Sequence, residues 1–286
     1  MQILATSRMV VLLVMGASAP ALVAQSAQRS PGQPPDHTSA LDARQIAGES
    51  VAAIERSWQA WRHYTYTERD QERRLDAHGQ VKSEDVDVSR MILVNGARFE
   101  QLVERNGQPP STEESRKRDA ELEKLKRETQ AELVVRLRKD EENRSFLPEL
   151  LQAFDFQLIG EEIVDGRLAY VLHATPHPGY QAHGKYGKMF SKVEGKLWVD
   201  KQNFGWIKVD GQVTQSFSTG LFVARVQRGS RGILEQTCVD DGVCLPKRIA
   251  VRASARVLFV KSLDIERILS YSDYWLAADG PYAVAR

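Results

Sequence analysis

Cysteine, excess charge and long apolar runs are the features in which this sequence is poorest. Only two of its 286 residues are cysteine, and 39 basic residues face 38 acidic ones. A balanced charge gives no electrostatic argument for binding nucleic acid or an anionic membrane surface. After residue 24, no apolar run is long enough to span a bilayer. We therefore expect a protein that neither binds nucleic acid nor spans a membrane.

The common sequence motifs of enzymes are also missing. The chain has no Gly-x-Ser-x-Gly elbow, no phosphate-binding loop and no dinucleotide fingerprint after a strand. Many active sites are assembled from distant positions, so this absence does not exclude an enzyme. It leaves no residue to name as catalytic and no cofactor to expect.

The first 24 residues have the order of a secretory signal peptide. Arg8 is their only charge, an apolar core follows at 9–15, and small residues fill most of 16–24. This order predicts a signal peptide over 1–24, cleaved near Ala24, and the alternative is a disordered apolar start in a cytosolic protein. Export leaves a soluble periplasmic protein in a Gram-negative bacterium, or otherwise a free extracellular one.

A flexible tether and a helix are expected next. Prolines and a glycine with few apolar residues predict a tether over 25–39, and 40–286 is expected to form a single domain. Ser39 is a candidate cap for a helix from about Ala40 to Trp61, which carries an apolar stripe. Trp58 and Trp61 invite a ligand-stacking interpretation, but aromatic residues in such a stripe more often pin the helix on a sheet.

A second, charged helix is predicted in the middle of the chain. Ser111 and Glu114 fit a capping box, so the helix should run from Thr112 to about Asn143. One narrow apolar stripe suits either a lid across the opening of a sheet or a helix packed on its outside. The stripe consists of Leu122, Leu125, Leu133 and Leu137.

Most of the remaining chain alternates with the period of β-strands. Period-two alternation covers much of 63–106 and most of 154–275, and a hairpin over 195–213 shows it well. Helical patterns appear only near the start and in the middle. The sequence therefore predicts an α+β fold that is dominated by one antiparallel sheet.

The two cysteines flank a short turn. Cys238 and Cys244 lie directly opposite each other if Asp240-Asp241-Gly242 is a hairpin loop. An exported chain with two cysteines at a hairpin is expected to oxidise them, whereas two independent reduced cysteines are the alternative.

Three histidines form the cluster that most suggests a metal. They are His173, His177 and His183, and Pro176 and Pro178 exclude a helix on which a His-x-x-x-His pair would converge. We favour histidines at a strand end and in a loop, and expect no metal.

The order of the features resembles the periplasmic lipoprotein-carrier superfamily, and in particular an uncharacterised bacterial group of outer-membrane lipoprotein-sorting proteins. A signal peptide, an N-terminal helix, a strand meander, a helical segment and a second meander follow one another. The motifs that carry the resemblance are 156–172 (FQLIGEEIVDGRLAYVL), 176–180 (PHPGY), 195–200 (GKLWVD) and 245–248 (LPKR). The long charged helix and the cysteine pair depart from the family pattern.

The resemblance implies a curved, half-open antiparallel β-barrel with an N-terminal helix and an internal helical lid segment. It also implies a carrier that holds a lipid or lipoprotein acyl chain in an apolar cavity, with a membrane-bound donor, acceptor or regulator as partner. An envelope-stress signalling module that senses lipids is the first alternative, and an envelope enzyme on the same scaffold is the second.

Strand alternation proposes the residues that line such a cavity. A common apolar face is predicted for the hairpin residues, with three weaker candidates on neighbouring strands. In a closed small barrel the same residues would simply be packed core, and this alternative stays open. The hairpin residues are Leu197, Val199, Ile207, Val209 and Val213, and the weaker candidates are Val171, Phe217 and Leu221.

Overall fold

The computed structural model describes residues 41–142, 146–182, 187–219, 224–240, 242–257 and 261–277. The predicted signal peptide and tether, His183 and Leu221 lie outside these ranges. The helices are α1 (Ala43–Trp61), α2 (Thr112–Lys126), α3 (Gln130–Glu142), α4 (Leu147–Ala153) and α5 (Gly187–Phe190). The strands are β1 (Tyr64–Leu75), β2 (Val81–Val94), β3 (Ala97–Arg105), β4 (Phe154–Val164), β5 (Arg167–Pro176), β6 (Val193–Asp200), β7 (Trp206–Val213), β8 (Phe217–Thr219), β9 (Ala224–Val226), β10 (Arg231–Asp240), β11 (Val243–Val257) and β12 (Lys261–Leu276).

All twelve strands form one antiparallel sheet. Its main path is β3-β2-β1-β12-β11-β10-β7-β6-β5-β4, and the short β8–β9 hairpin joins it at β11. The two ends of this path, β3 and β4, do not pair with each other among the described residues, so the sheet stays open. It curves around α1, which contacts both β11 and the edge strand β4. The predicted α+β fold with a half-open antiparallel sheet is confirmed.

We call the side of the sheet that α1 covers the inner face, and the other side the outer face. The inner face is marked by Leu172, Leu197, Val209 and Leu234, which share one buried cluster with the α1 residue Ile54. Residues directly opposite on paired strands lie on the same face, and successive residues along a strand alternate. The strand register therefore assigns a face to every position outside the bulges.

Helix α1 begins three residues later than the sequence suggested. Its cap is Asp42, whose carboxylate accepts a hydrogen bond from the backbone N–H of Gln45 at 2.7 Å. The Gln45 side chain in turn accepts from the Asp42 N–H at 3.0 Å. This capping box satisfies two free donors of the first turn, so the helix starts here. Among the described residues, no helix is both long and apolar enough to cross a bilayer.

The single long helix predicted from Thr112 is wrong, because the structure has two helices, α2 and α3. The Ser111 capping box is present as predicted. A second one interrupts the helix at Thr129, whose hydroxyl accepts from the Glu132 N–H at 3.3 Å while the Glu132 carboxylate accepts from the Thr129 N–H at 2.8 Å. The capping box at Thr129 therefore starts a new helix, although the leucine stripe continues through this point of the sequence.

Three residues of the leucine stripe pack against the β2–β3 hairpin. Leu125 and Leu133 are buried there with Ile92 and Phe99, and Leu122 packs beside them. These hairpin residues are directly opposite each other on the outer face, because their neighbour Met91 pairs with Tyr66 on the inner face. Of the two roles predicted for this stripe, a lid across the sheet opening or a helix packed on the outside, these contacts correspond to the second.

Introducing charge into this stripe should release α2 and α3 without disturbing the inner face. We expect Leu125→Glu with Leu133→Glu to raise amide exchange throughout residues 112–142, because burying a charge in an apolar cluster costs several kcal/mol. Exchange in β6 and β7 should stay as in the parent protein. Val135→Glu is the matched control, since Val135 is 68% exposed on the same helix as Leu133. Faster exchange throughout the sheet would contradict this division.

The turn between β6 and β7 is organised by one carboxylate. Asp200 is buried and accepts hydrogen bonds from the N–H groups of Gln202 and Asn203 at 2.7 and 3.1 Å, and from Arg167. Burial alone would raise the pKa of Asp200, but these donors hold the pKa below its usual value. The turn is therefore set by an ionised side chain, and its contribution to stability is lost when acid protonates Asp200.

Candidate functional site

An unbroken row of apolar side chains crosses the inner face of the sheet. Each residue lies directly opposite the next, so the row runs perpendicular to six neighbouring strands, β5, β6, β7, β10, β11 and β12. A surface of this kind can bury an extended apolar chain but offers it no hydrogen bond. The row consists of Leu172, Leu197, Val209, Leu234, Ile249 and Leu269.

A row without side chains runs beside it. Gly195, Gly211 and Gly232 are directly opposite one another on β6, β7 and β10, and all three are buried on the inner face. Glycine weakens a strand interior and there commonly marks a close approach of another chain or a ligand. Ala174 and Val251 continue the row on either side. The inner face is therefore lower along this line than on its two flanks.

The structure divides the predicted cavity residues between three clusters. Leu197, Val199 and Val209 lie in the cluster beneath α1. Val213 and Phe217 lie in a second inner-face cluster, with Phe154 of β4 and Phe190 of α5. Leu150 of α4 packs against both clusters, so they form one continuous surface. Ile207 and Val171 form the third cluster, on the outer face.

The prediction of one shared apolar face is therefore wrong for Ile207 and Val171. A bulge shifts the register between β6 and β7, because Trp198 pairs with Lys208 while Val199 pairs with Trp206. Ile207 thereby turns outward to join Val171, and Trp206 takes the inward position.

Helix α1 covers the inner face and is fixed there by hydrogen bonds as well as apolar contacts. Ile46 and Ile54 are fully buried against the sheet. The Trp206 indole N–H donates to the Ser50 hydroxyl at 3.1 Å, and both groups are buried. Ser57 contacts the tip of the β10–β11 hairpin. The element that lies over the inner face is thus α1, rather than the helices that carry the leucine stripe.

The hairpin tip also contains the predicted disulfide. Cys238 and Cys244 are paired across β10 and β11 and are bonded to each other. No free cysteine occurs among the described residues. The prediction of an oxidised pair is confirmed.

Beyond β12 the row across the sheet changes from apolar to charged. Leu269 is opposite Asp70, which is opposite Asp87, which is opposite Arg105. Arg267 is buried on the same face and donates from Nε to the Asp70 carboxylate at 2.8 Å, with a second bond from Nη2. Arg105 binds Asp87 in the same bidentate way. The inner face is therefore apolar on one half and ionic on the other.

Aromatic rings fill the boundary between the two halves. Trp61, at the end of α1, stacks on Tyr66 with ring centroids 5.7 Å apart, and the Arg98 guanidinium lies 4.2 Å above Trp61. Burial raises the pKa of Tyr271 well above its usual value, and it also raises the pKa of Tyr274. Both phenols therefore remain neutral. Trp61 thus packs against the sheet, as predicted.

The described part of the chain contains no cluster of side chains suited to a metal ion. Within the described residues, no group of three or more His, Cys, Asp or Glu side chains converges to hold a metal ion. His177 instead contacts Asp155, with Nδ1 to Oδ1 at 2.9 Å. The apolar half of the inner face offers a surface against which an apolar chain could be buried.

Three features of the site escaped prediction from sequence. The role of α1 as cover, the alignment of the glycines and the Arg267–Asp70 pair all depend on contacts between distant strands. The sequence does contain a signal for the alignment of the glycines, because Gly195 and Gly211 each interrupt an otherwise well-formed strand pattern.

Comparisons with known proteins give structural matches only. No protein-family model matches the chain, and no curated protein matches it. A DUF1329 family protein from Desulfovibrio piger is 12% identical with a TM-score of 0.35, over 82% of this chain and 94% of its own. A LolA superfamily protein from Nitrosomonas europaea is 13% identical with a TM-score of 0.32, over 83% of this chain and 94% of its own.

A third match is a domain from Vibrio parahaemolyticus described as an outer membrane lipoprotein-sorting protein. It is 10% identical with a TM-score of 0.30, over 80% of this chain and 92% of its own. Two of the three structures thus carry names from the superfamily that the motifs resemble. Their low TM-scores carry no argument about function, which has to come from the site itself.

Proposed function

We propose that this chain is exported to the periplasm, where its single domain over 40–286 binds the acyl chain of a lipid or lipoprotein as a carrier, without catalysis. The observation that carries the proposal is the apolar row from Leu172 to Leu269 on the inner face of an open sheet. The glycine row beside it supports the proposal, because it lowers the surface along a line where a chain can lie.

The energetics suit a carrier. Burying apolar chain contributes about 0.8 kcal/mol per methylene, so an acyl tail needs no polar contact to bind tightly. Release must then come from transfer to a partner with higher affinity, and a membrane-bound donor or acceptor would be that partner. Of the predicted lining residues, Leu197, Val199, Val209, Val213 and Phe217 stay in this proposal.

Helix α1 occupies the face to which we assign the acyl chain. Its removal from the sheet would expose the apolar row along with its own buried stripe, which includes Ile46 and Ile54. We therefore assign the role of lid to α1. The acyl chain lies between α1 and the glycine row when α1 lifts, and it replaces contacts that α1 itself makes when the site is empty.

Lipid extracted from the native protein tests the proposal. Protein purified from its own cell envelope under mild conditions is expected to carry acylated lipid in close to equimolar amount, detected by mass spectrometry of an organic extract. The matched control is the same protein refolded from denaturant without lipid, which should bind a fluorescent long-chain fatty acid that the native preparation binds only after delipidation. An empty native protein and a refolded protein with no affinity for the fatty acid would contradict the proposal.

A further inference from the structure

The tip of the β10–β11 hairpin binds a hydroxyl group of α1. Ser57 is fully buried on α1, and its Oγ donates to the Gly242 carbonyl at 3.4 Å. The same Oγ accepts from the Cys244 N–H at 3.1 Å. Both backbone groups belong to the loop that the Cys238–Cys244 disulfide closes. The cross-link therefore fixes the two groups that bind α1.

The sulfur side of the tip is packed just as closely. Cys244 is buried, and its Sγ lies 4.0 Å from Asn203 Nδ2 in the turn between β6 and β7. A Cβ atom on Gly205 would come within 2.7 Å of this sulfur, so the turn accommodates it only because residue 205 is glycine. The turn leads directly into Trp206, which hydrogen-bonds Ser50 of α1. The hydrogen bonds that Ser57 and Ser50 form with the sheet thus lie beside the disulfide.

We infer that the Cys238–Cys244 disulfide is a redox-controlled clasp, which keeps α1 on the inner face when oxidised and loosens it when reduced. Without the cross-link, the loop can adopt several turn conformations. Only one of them places the Gly242 carbonyl and the Cys244 N–H so that both hydrogen-bond the Ser57 hydroxyl. The contacts of Ile46 and Ser50 and the stack of Trp61 on Tyr66 remain, so the part of α1 around Ser57 loosens first. The consequence for ligand access rests on the proposed function, whereas the clasp itself does not.

The redox step requires a dithiol as reductant, such as a Cys-x-x-Cys oxidoreductase or dithiothreitol. Its thiolate attacks Sγ of Cys238, the more exposed residue of the pair, and forms a mixed disulfide. The bond between the two Sγ atoms breaks, and Cys244 leaves with the electron pair and takes a proton. The second thiol of the reductant then displaces Cys238, which also takes a proton, and the reductant becomes a disulfide.

Hydrogen exchange of α1 tests the clasp without any ligand. In full-length protein reduced with dithiothreitol, and in the Cys238→Ser/Cys244→Ser variant, we expect amides of 53–61 to exchange at least about tenfold faster than in oxidised protein. Peptides from α2 (Thr112–Lys126), which packs on the outer face of β2 and β3, serve as the internal control and should not change. Thiol titration confirms each redox state.

Ser57→Ala keeps the disulfide and removes only the contact, so it separates the clasp from a general effect on folding. This variant should exchange as fast in 53–61 as reduced parent protein, and reducing it should add little. Unchanged exchange in 53–61 after reduction, or a uniform rise in α1, α2 and the strands, would overturn the clasp. If the protein binds no fatty acid in either redox state, the proposed function is wrong. The clasp is not affected by that result, because hydrogen exchange is measured without ligand.

Discussion

Arg267→Met is expected to lower the free energy of unfolding by about 3 kcal/mol. The guanidinium is almost fully buried on β12 and forms a bidentate ion pair with Asp70 of β1. Removing one partner of a buried pair leaves the other charge uncompensated, which typically costs about 3–5 kcal/mol. The lower end applies here because the Asp70 side chain remains 21% exposed. Urea unfolding followed by circular dichroism measures the change.

A double variant separates the cost of an orphaned charge from the value of the pair. Arg267→Met combined with Asp70→Leu should recover most of the lost stability, since apolar replacements of a buried pair are often neutral. Arg252→Met is the control on the neighbouring strand, because Arg252 pairs with Glu266 on the surface and should cost at most about 1 kcal/mol. A double variant as unstable as Arg267→Met alone would contradict this explanation.

Val209→Trp is expected to weaken the binding of long acyl chains by roughly tenfold or more, equivalent to about 1.4 kcal/mol. Val209 lies in the middle of the apolar row and beside the glycine row, so an indole there occupies the line assigned to the ligand. A short chain can end before it reaches this position, so its affinity should fall less. Titration with long-chain and short-chain fluorescent fatty acids measures both effects.

Ile207→Trp is the matched control, with the same substitution two residues away on the outer face. Both side chains are buried, so each variant should lose about 1–3 kcal/mol of stability through overpacking. Only Val209→Trp should change affinity per folded molecule. Equal loss of affinity in both variants, or an unchanged preference for chain length in Val209→Trp, would remove the inner face as the binding surface.

The strands were predictable wherever their signals are local. The bounds of β1 and β3 follow from the alternation of side chains and from the Asn95-Gly96 turn, where both residues have positive φ. The break between α2 and α3 was also available, because Thr129 and Glu132 form a capping box in the sequence. The leucine stripe favoured one helix instead, because the helical spacing of its leucines continues across the three residues that separate α2 from α3.

The faces of the sheet were harder to predict than its strands. Ile207 and Val209 are two residues apart, so regular alternation predicts the same face for both, yet they lie on opposite faces because the alignment of β6 with β7 contains a bulge. Such a bulge is set by how two strands meet, and the hairpin sequence does not contain that information. Likewise, the stripe of α1 predicts that it packs on a sheet without saying on which strands.

The location of a bound acyl chain tests the central claim most directly. A long-chain fatty acid with a photoactivatable diazirine at its end can be cross-linked to the wild-type protein, and the labelled residues mapped by mass spectrometry. We predict label on α1 (Ala43–Trp61) and on inner-face positions of β6, β7 and β10, and we expect excess unlabelled fatty acid to remove it. Label confined to α2, α3 or outer-face residues such as Trp198, or label that the competitor does not remove, would contradict it.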